Sequence, residues 1–223
     1  MEKSFDWQVF WSEWRNKPAQ SEYDLYFQVA KTVNSKAMDR PLFDAINESI
    51  VQILQLRPAD TLVELCCGNG LCTYELAKRV ERVLAVDFAA HLIADAKKFK
   101  SAANIVYTQS DVTVFLDSFL PDLSCGPLKC LMNDSLAYFT PAQLRDIVWK
   151  LNRCTRGAFV FLIRGIPNDE LKWNYYNTEE RRERYRQLVS EADSTNDGMG
   201  RWWKPREIID ICNELNLQCQ VTN

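Results

Sequence analysis

The stretch Val63-Glu64-Leu65-Cys66-Cys67-Gly68-Asn69-Gly70 sets a carboxylate beside a glycine turn. Glycine there lets the backbone turn tightly and come close to a ligand. About twenty residues later the apolar run Val83-Leu84-Ala85-Val86 ends in a second acid, Asp87. An acid at such a strand end is placed to accept hydrogen bonds from both hydroxyls of a ribose. A glycine pair alone would be weak. Strand, turn, helix, strand and acid in that order point to an adenosine-containing ligand.

Gly68-Asn69-Gly70-Leu71-Cys72-Thr73 nearly fits the dinucleotide fingerprint, with Thr73 where the third glycine belongs. A nicotinamide-dependent oxidoreductase is therefore the rival reading. Glu64 argues against it, because a carboxylate next to the turn repels a pyrophosphate but suits an ammonium group. S-adenosylmethionine has an amino group, a sulfonium and no phosphate. A chain of 223 residues also leaves no room for a separate substrate domain. A non-catalytic S-adenosylmethionine-binding module would keep Glu64 and Asp87 but lack a substrate cavity.

The elements that must position these residues alternate from about residue 40 onward. A helix over Pro41 to Leu56 stacks Leu42, Ile46, Ile50, Ile53 and Leu54 on one face, and Pro58 ends it. Strands are expected at Thr61–Cys66, Val83–Asp87, Asn104–Thr108, Lys129–Asn133 and Ala158–Ile163, with a sixth at Gln218–Val221. Thr140-Pro141-Ala142-Gln143 reads as a capping box with proline at the first helical position. Pro205 opens a further helix with Ile208, Ile211, Cys212 and Leu215 inward. The alternation implies an α/β fold, a doubly wound, mostly parallel sheet covered on both faces. Residues 41–223 form this domain. Two aromatic additions lie outside the pattern: an N-terminal arm, residues 1–40, with Phe5, Trp7 and Trp14 among its rings, and an insert, residues 167–203. Both are expected to act as lids over the open end of the sheet.

The glycine turn resembles the first motif of class I S-adenosylmethionine-dependent methyltransferases, an acid followed by a Gly-x-Gly turn on a Rossmann-like fold. Val86-Asp87-Phe88 is similar to their second motif. Gln109-Ser110-Asp111-Val112 looks like the element after the third strand, and Met132-Asn133-Asp134-Ser135-Leu136-Ala137-Tyr138-Phe139 like the fourth motif of small-molecule members. The resemblance covers about residues 40 to 222. It implies that Asp87 binds the ribose, that Phe88 packs on the adenine, and that Asp111 meets the adenine amino group. It also implies cofactor contacts from Glu64, Cys66, Gly68, Gly70, Val112 and Asn133. Cys66 replaces the first glycine of the family's turn. The family's sheet ends in an antiparallel seventh strand; here Asn223 follows directly on the sixth, so either that strand lies outside this sequence or the edge is finished some other way. Gln28-Val29-Ala30-Lys31-Thr32-Val33-Asn34 and parts of the insert look like methyltransferases of bacterial surface-glycan and secondary-metabolite clusters. This suggests a sugar or similar polyhydroxylated acceptor.

The sulfonium is already a potent methyl donor, so the protein must mainly align the acceptor and exclude water. A hydroxyl acceptor also needs a base. Candidates are Asp134, Tyr138, His91 and Asp169, with Arg164 able only to orient; Asp134 is the first choice. Duller readings stand beside these: Glu64 and Asp87 as plain strand-end acids, Asp111 as a helix cap, Asp134 as a turn residue, His91 as a solvent or cap residue. The run from Glu179 to Arg184 reads as a solvated helix face.

Composition bounds the partners. The net charge is -3, which argues against general affinity for nucleic acid. No run approaches the roughly 20 apolar residues of a membrane span, and the first residues lack an apolar leader core, so a cytoplasmic protein with a small-molecule acceptor is expected. Eight cysteines without a Cys-x-x-Cys pair, and His91 as the one histidine, suggest buried reduced thiols and no metal site.

Overall fold

The computed structural model describes residues 6–13, 18–119, 121, 126–191 and 200–222. Phe5, Trp14, Cys125 and residues 192–199 of the insert lie outside the described residues. The helices are α1 (Trp7–Glu13), α2 (Glu22–Gln28), α3 (Arg40–Leu54), α4 (Leu71–Ala77), α5 (Ala90–Phe99), α6 (Val112–Ser118), α7 (Pro141–Thr155), α8 (Lys172–Tyr175), α9 (Glu179–Glu191) and α10 (Pro205–Glu214). The strands of the main sheet are β1 (Thr61–Leu65), β2 (Arg82–Asp87), β3 (Ile105–Gln109), β4 (Leu128–Asn133) and β5 (Phe159–Arg164), in the order β3-β2-β1-β4-β5.

The chain divides into two compact units, residues 8–133 with 150–162, and residues 1–7, 134–149 and 163–223. The first holds most of the sheet. β1 runs parallel to β2, with Glu64 opposite Ala85, and parallel to β4, with Glu64 opposite Leu131. β2 runs parallel to β3 and sets Asp87 opposite Gln109. Central strands covered on both faces must be apolar throughout. Leu62, Val83, Ala85 and Leu131 join Phe43, Ile50 and Leu76 in one buried cluster. Their neighbours along the strands, Val63, Leu65, Val86, Cys130 and Met132, point the other way and are buried as well.

Residues 18–40 are built into this unit. Ala19 and Leu25 belong to the same cluster. Asp95 on α5 accepts from the Ala19 amide at 2.9 Å and from the Gln28 side chain at 2.6 Å. After α2 the chain makes an elbow at Ala30 (φ 52°) and a two-residue antiparallel ribbon, Thr32–Val33 against Lys36–Ala37.

In the second unit, Leu136–Tyr138 forms a short 3-10 turn beside residues 200–203. The Arg201 amide donates to Ala137 O at 2.7 Å, and the buried Trp203 indole donates to Leu136 O at 3.1 Å. Trp173, Tyr175, Tyr176, Tyr185 and Trp202 form a ring cluster, with centroids 4.7–6.3 Å apart. Residues Glu179 to Arg184 are exposed, as expected of a solvated helix face.

The expected capping box exists: Thr140 N donates to Gln143 Oε1 at 2.8 Å, and Gln143 N to Thr140 Oγ1 at 3.3 Å. The expected strand Gln218–Val221 does not form. Beyond α10, Asn216 takes the left-handed region (φ 55°), and Leu217 N bonds back to Cys212 O at 2.9 Å. The following residues, Gln218 to Gln220, are exposed and pair with no strand. β propensity without a pairing partner does not make a strand. Among the described residues no disulfide forms, and not all the thiols are buried: Cys219 is exposed, and Cys66, Cys154 and Cys212 are half-buried.

Candidate active site

The turn from β1 into α4 is held by its own backbone. Cys67 N donates to Val86 O at 3.0 Å and Gly70 N to Cys67 O at 3.2 Å. Cys66 adopts φ 61°, the left-handed conformation that glycine takes most easily. Its small side chain tolerates this at a cost. Gly70 (φ 77°) starts α4, and a Cβ there would overlap the Tyr107 hydroxyl and press on Ala96. So Gly70 serves helix-to-strand packing, with Tyr107 donating to Lys100 O at 2.8 Å.

Asp87 is 6% exposed, and both its oxygens are held. Gly68 N donates to Oδ2 and Ala89 N to Oδ1, each at 2.9 Å. Burial pushes its pKa up, opposed by the amides of Ala89, Gly68 and Phe88. Each carboxylate oxygen has two lone pairs, so these bonds orient the group without exhausting its acceptor capacity.

Glu64 is 2% exposed. The Thr73 hydroxyl donates to its Oε2 at 2.6 Å. Burial raises its pKa to about 7, against the pull of Thr73 and of the Lys31 charge, and Asp87 adds to the rise. A carboxyl group so placed gains from any cationic ligand group that reaches it.

Asn69 is fully buried. Its amide nitrogen ties the turn to α2, donating to Leu25 O at 2.8 Å and Gln28 Oε1 at 3.0 Å. Its Oδ1 is buried with no hydrogen-bond partner. Residue spacing gave no role to the side chains of Lys31, Gln28 or Asn69, although Asn69 lies inside the glycine motif. A lysine and a glutamine in the apolar stretch around Val29 were the available signal.

Other expected residues fall as follows. Phe88 is half-buried and Val112 is buried. Asp111 caps α6, accepting from Thr113 N at 2.7 Å, and its Oδ2 accepts from the Gln8 amide at 2.9 Å. The capping reading of Asp111 thus holds structurally, whatever else the carboxylate meets. Asn133 ends β4 and donates to Cys72 Sγ at 3.5 Å. His91 opens α5, half-buried, and burial lowers its pKa against the pull of Asp95. All of these belong to the unit that contains the sheet.

Asp134 begins the next segment, in the other unit, and is exposed. Its φ is 56° and its amide donates to Arg164 O at 2.8 Å. Its carboxylate lies over Gly165 (φ 69°): a Cβ on Gly165 would overlap Oδ1. Tyr138 is pushed up to about 12 by burial and by Asp134, so it is a poor base near neutrality. Asp169 is committed to Lys172 at 2.7 Å. Among the described residues no group of three His, Cys, Asp or Glu side chains could hold a metal ion, and no helix is long and apolar enough to cross a membrane.

Residues 62–157 match the methyltransferase domain family, which takes in the glycine turn, Asp87, Asp111 and Asp134. Over these residues the chain is similar to methyltransferase domains. A curated relative, tRNA (uracil-5-)-methyltransferase homolog B of Danio rerio, is 29% identical over 119 residues, which is 51% of this chain and 23% of the relative. The chain therefore spans about a quarter of that relative's length. Among solved structures, a methyltransferase from Bacillus halodurans superposes with a TM-score of 0.54 at 15% identity, covering 76% of this chain and 68% of the other. DhpI, in complex with SAM and HEP, gives 0.53 at 18% identity, covering 94% and 87%. These likenesses support the methyltransferase fold of the sheet.

The donor set of the methyltransferase domain fits S-adenosylmethionine. A buried carboxyl group with Glu64's raised pKa suits the cofactor's ammonium or sulfonium charge. An oriented carboxylate with acceptor capacity left, Asp87, suits a ribose diol. Neither suits a pyrophosphate.

Proposed function

We propose that the whole chain transfers a methyl group from S-adenosylmethionine to a hydroxyl or amine of a small molecule, with a sugar or other polyhydroxylated metabolite as first candidate. The observation that carries this reading is the pair of buried acids around one glycine turn, Glu64 and Asp87. In this reading Asp87 holds the ribose, Phe88 packs on the adenine, and Asp111 with Val112 meets its amino edge. Glu64, the Cys66–Gly70 turn and Asn133 hold the remainder of the cofactor. When bound, the cofactor supplies the activated methyl group. The chain's own residues align the acceptor with it, exclude water, and take the acceptor's proton. Asp134 is the base: it is exposed, and its carboxylate lies over Gly165. An amine acceptor would need it less. Hydrogen exchange in residues 20–40 and 170–203 is expected to slow when cofactor and acceptor bind.

A methyl acceptor in nucleic acid is the second reading, favoured by the name of the zebrafish relative. The net charge of -3 weighs against it. Calorimetry with S-adenosylmethionine, S-adenosylhomocysteine and NAD tests the cofactor: binding of the first two at micromolar levels and not of NAD is expected, and comparable NAD binding would sink the assignment. Labelled S-adenosylmethionine offered with a panel of sugars and metabolites, and separately with tRNA, then tests the acceptor. Label in the tRNA alone would replace the small-molecule reading.

A further inference from the structure

The cofactor's amino-acid end is a zwitterion, and Glu64 answers only its ammonium. We propose that Lys31 binds the carboxylate of that end, so that Lys31 and Glu64 together read an α-amino acid group. The inference rests on the reading of this turn as the S-adenosylmethionine site.

Lysine is rarely buried unless its charge has something to meet. Lys31 is 8% exposed, in a segment that sequence periodicity leaves outside the α/β alternation. Its backbone is fixed on both sides. Lys31 N donates to Tyr26 O at 2.8 Å, Thr32 N to Ala30 O at 2.8 Å, and Met38 N to Lys31 O at 2.9 Å. The left-handed Ala30 precedes it and the short ribbon follows it. Such strained, over-determined elbows are kept where a side chain must be aimed. α2, which leads into the elbow, is tied in turn to the glycine turn through Asn69 and Gln28.

The Lys31 charge is felt at Glu64, but it does not offset the burial that holds the Glu64 carboxyl up. Lys31 and Glu64 therefore bring opposite charges to one turn. An α-amino acid carries the same two charges in reverse, ammonium for Glu64 and carboxylate for Lys31. A dinucleotide would instead meet Glu64 with a like charge. The arm is in this account part of the cofactor site rather than only a cover for it.

Three ligands separate this from a neutralising role for Lys31: S-adenosylmethionine, its decarboxylated analogue, which keeps the ammonium, and methylthioadenosine, which lacks the amino-acid end. Dissociation constants are measured by calorimetry on the full chain and on Lys31→Met. The expected result is a loss of about ten- to a hundredfold for S-adenosylmethionine, the size of one charge-assisted hydrogen bond. The decarboxylated analogue and methylthioadenosine should bind as before. Equal losses for S-adenosylmethionine and its decarboxylated analogue would mean that Lys31 acts only by neutralising Glu64, and would overturn the proposal. So would an unchanged affinity for S-adenosylmethionine. Lys31→Arg, which keeps the charge, guards against a misfolded methionine variant: it should keep the preference for the carboxylated ligand, and losing that preference in a folded protein would also overturn it. A wild-type chain that binds methylthioadenosine but does not discriminate the two longer ligands refutes the Lys31 role alone. One that binds none of the three refutes the cofactor reading beneath it.

Discussion

Asp87 and Asp134 occupy equivalent places in the alternation, each at the carboxyl end of a parallel strand, yet their surroundings differ throughout. Asp87 is buried, and backbone amides hold both of its oxygens. Asp134 is exposed, and what orients it is a left-handed backbone and the missing side chain of Gly165. A group that must hold one invariant ligand benefits from full orientation, with desolvation strengthening each remaining hydrogen bond. A group that must take a proton from a changing partner needs access to that partner. On the proposed reading, the contrast separates a binding acid from a reacting one by environment, not by residue type.

The strongest way to break this contrast is Asp134→Asn. Turnover should fall by about a hundredfold or more with a hydroxyl acceptor, the usual contribution of a positioned base, while cofactor affinity stays within error by calorimetry. Lost affinity with unchanged turnover would reverse the two roles.

Asp87→Ala comes next. Its two ribose hydrogen bonds should be lost, with a fall in cofactor affinity of roughly ten- to a thousandfold. The structure adds a second effect: the Gly68 and Ala89 amides lose their partner, so thermal stability should drop too, by about 1–3 kcal/mol per amide left unsatisfied in the interior. Asp87→Asn keeps one acceptor and should lose less on both counts. A folded Asp87→Ala protein with unaltered cofactor affinity would remove the ribose from this site.

Glu64 gives a smaller, pH-dependent effect. Its folded pKa is raised to about 7 from 4.5. Between those values the folded chain holds a proton that the unfolded chain has released. Stability should therefore be fully present below 4.5 and fall as pH rises to about 7, losing up to about 3 kcal/mol. A cationic ligand prefers the ionised carboxylate, so cofactor affinity should weaken as pH falls below about 7, by at most about tenfold per unit. Calorimetry in buffers of different ionisation enthalpy should detect proton release on binding below that pH. Glu64→Gln should abolish both dependences; affinity that keeps its pH slope in that variant would move the titration elsewhere.

The smallest effect is at Cys66. Left-handed backbone costs a side chain about 1–2 kcal/mol, and glycine's extra freedom in the unfolded chain returns about 0.5–1 kcal/mol of that. Cys66→Gly should stabilise the protein by no more than about 1 kcal/mol in urea titration. A marked loss of stability would show that the thiol, not the turn, is what this position needs.

Order and type of the sheet elements were legible in the residues alone, because a buried parallel strand has to be apolar along its whole length and the runs at Leu62, Val83 and Leu131 are. Glu64 stood out for the same reason, as a charge inside such a run. The glycine turn and Asp87 were legible because a tight turn and a strand end restrict residue type locally. Only the tertiary structure decided what these groups are attached to. It tied Asp87 to the amides of Gly68 and Ala89, brought Thr73 onto Glu64, built the arm into the core and buried Lys31 near the same turn. It also left Gln218–Val221 without strand partners. Those outcomes depend on segments tens of residues apart meeting in space, and charge pairing and strand pairing leave no period in the sequence by which to read them.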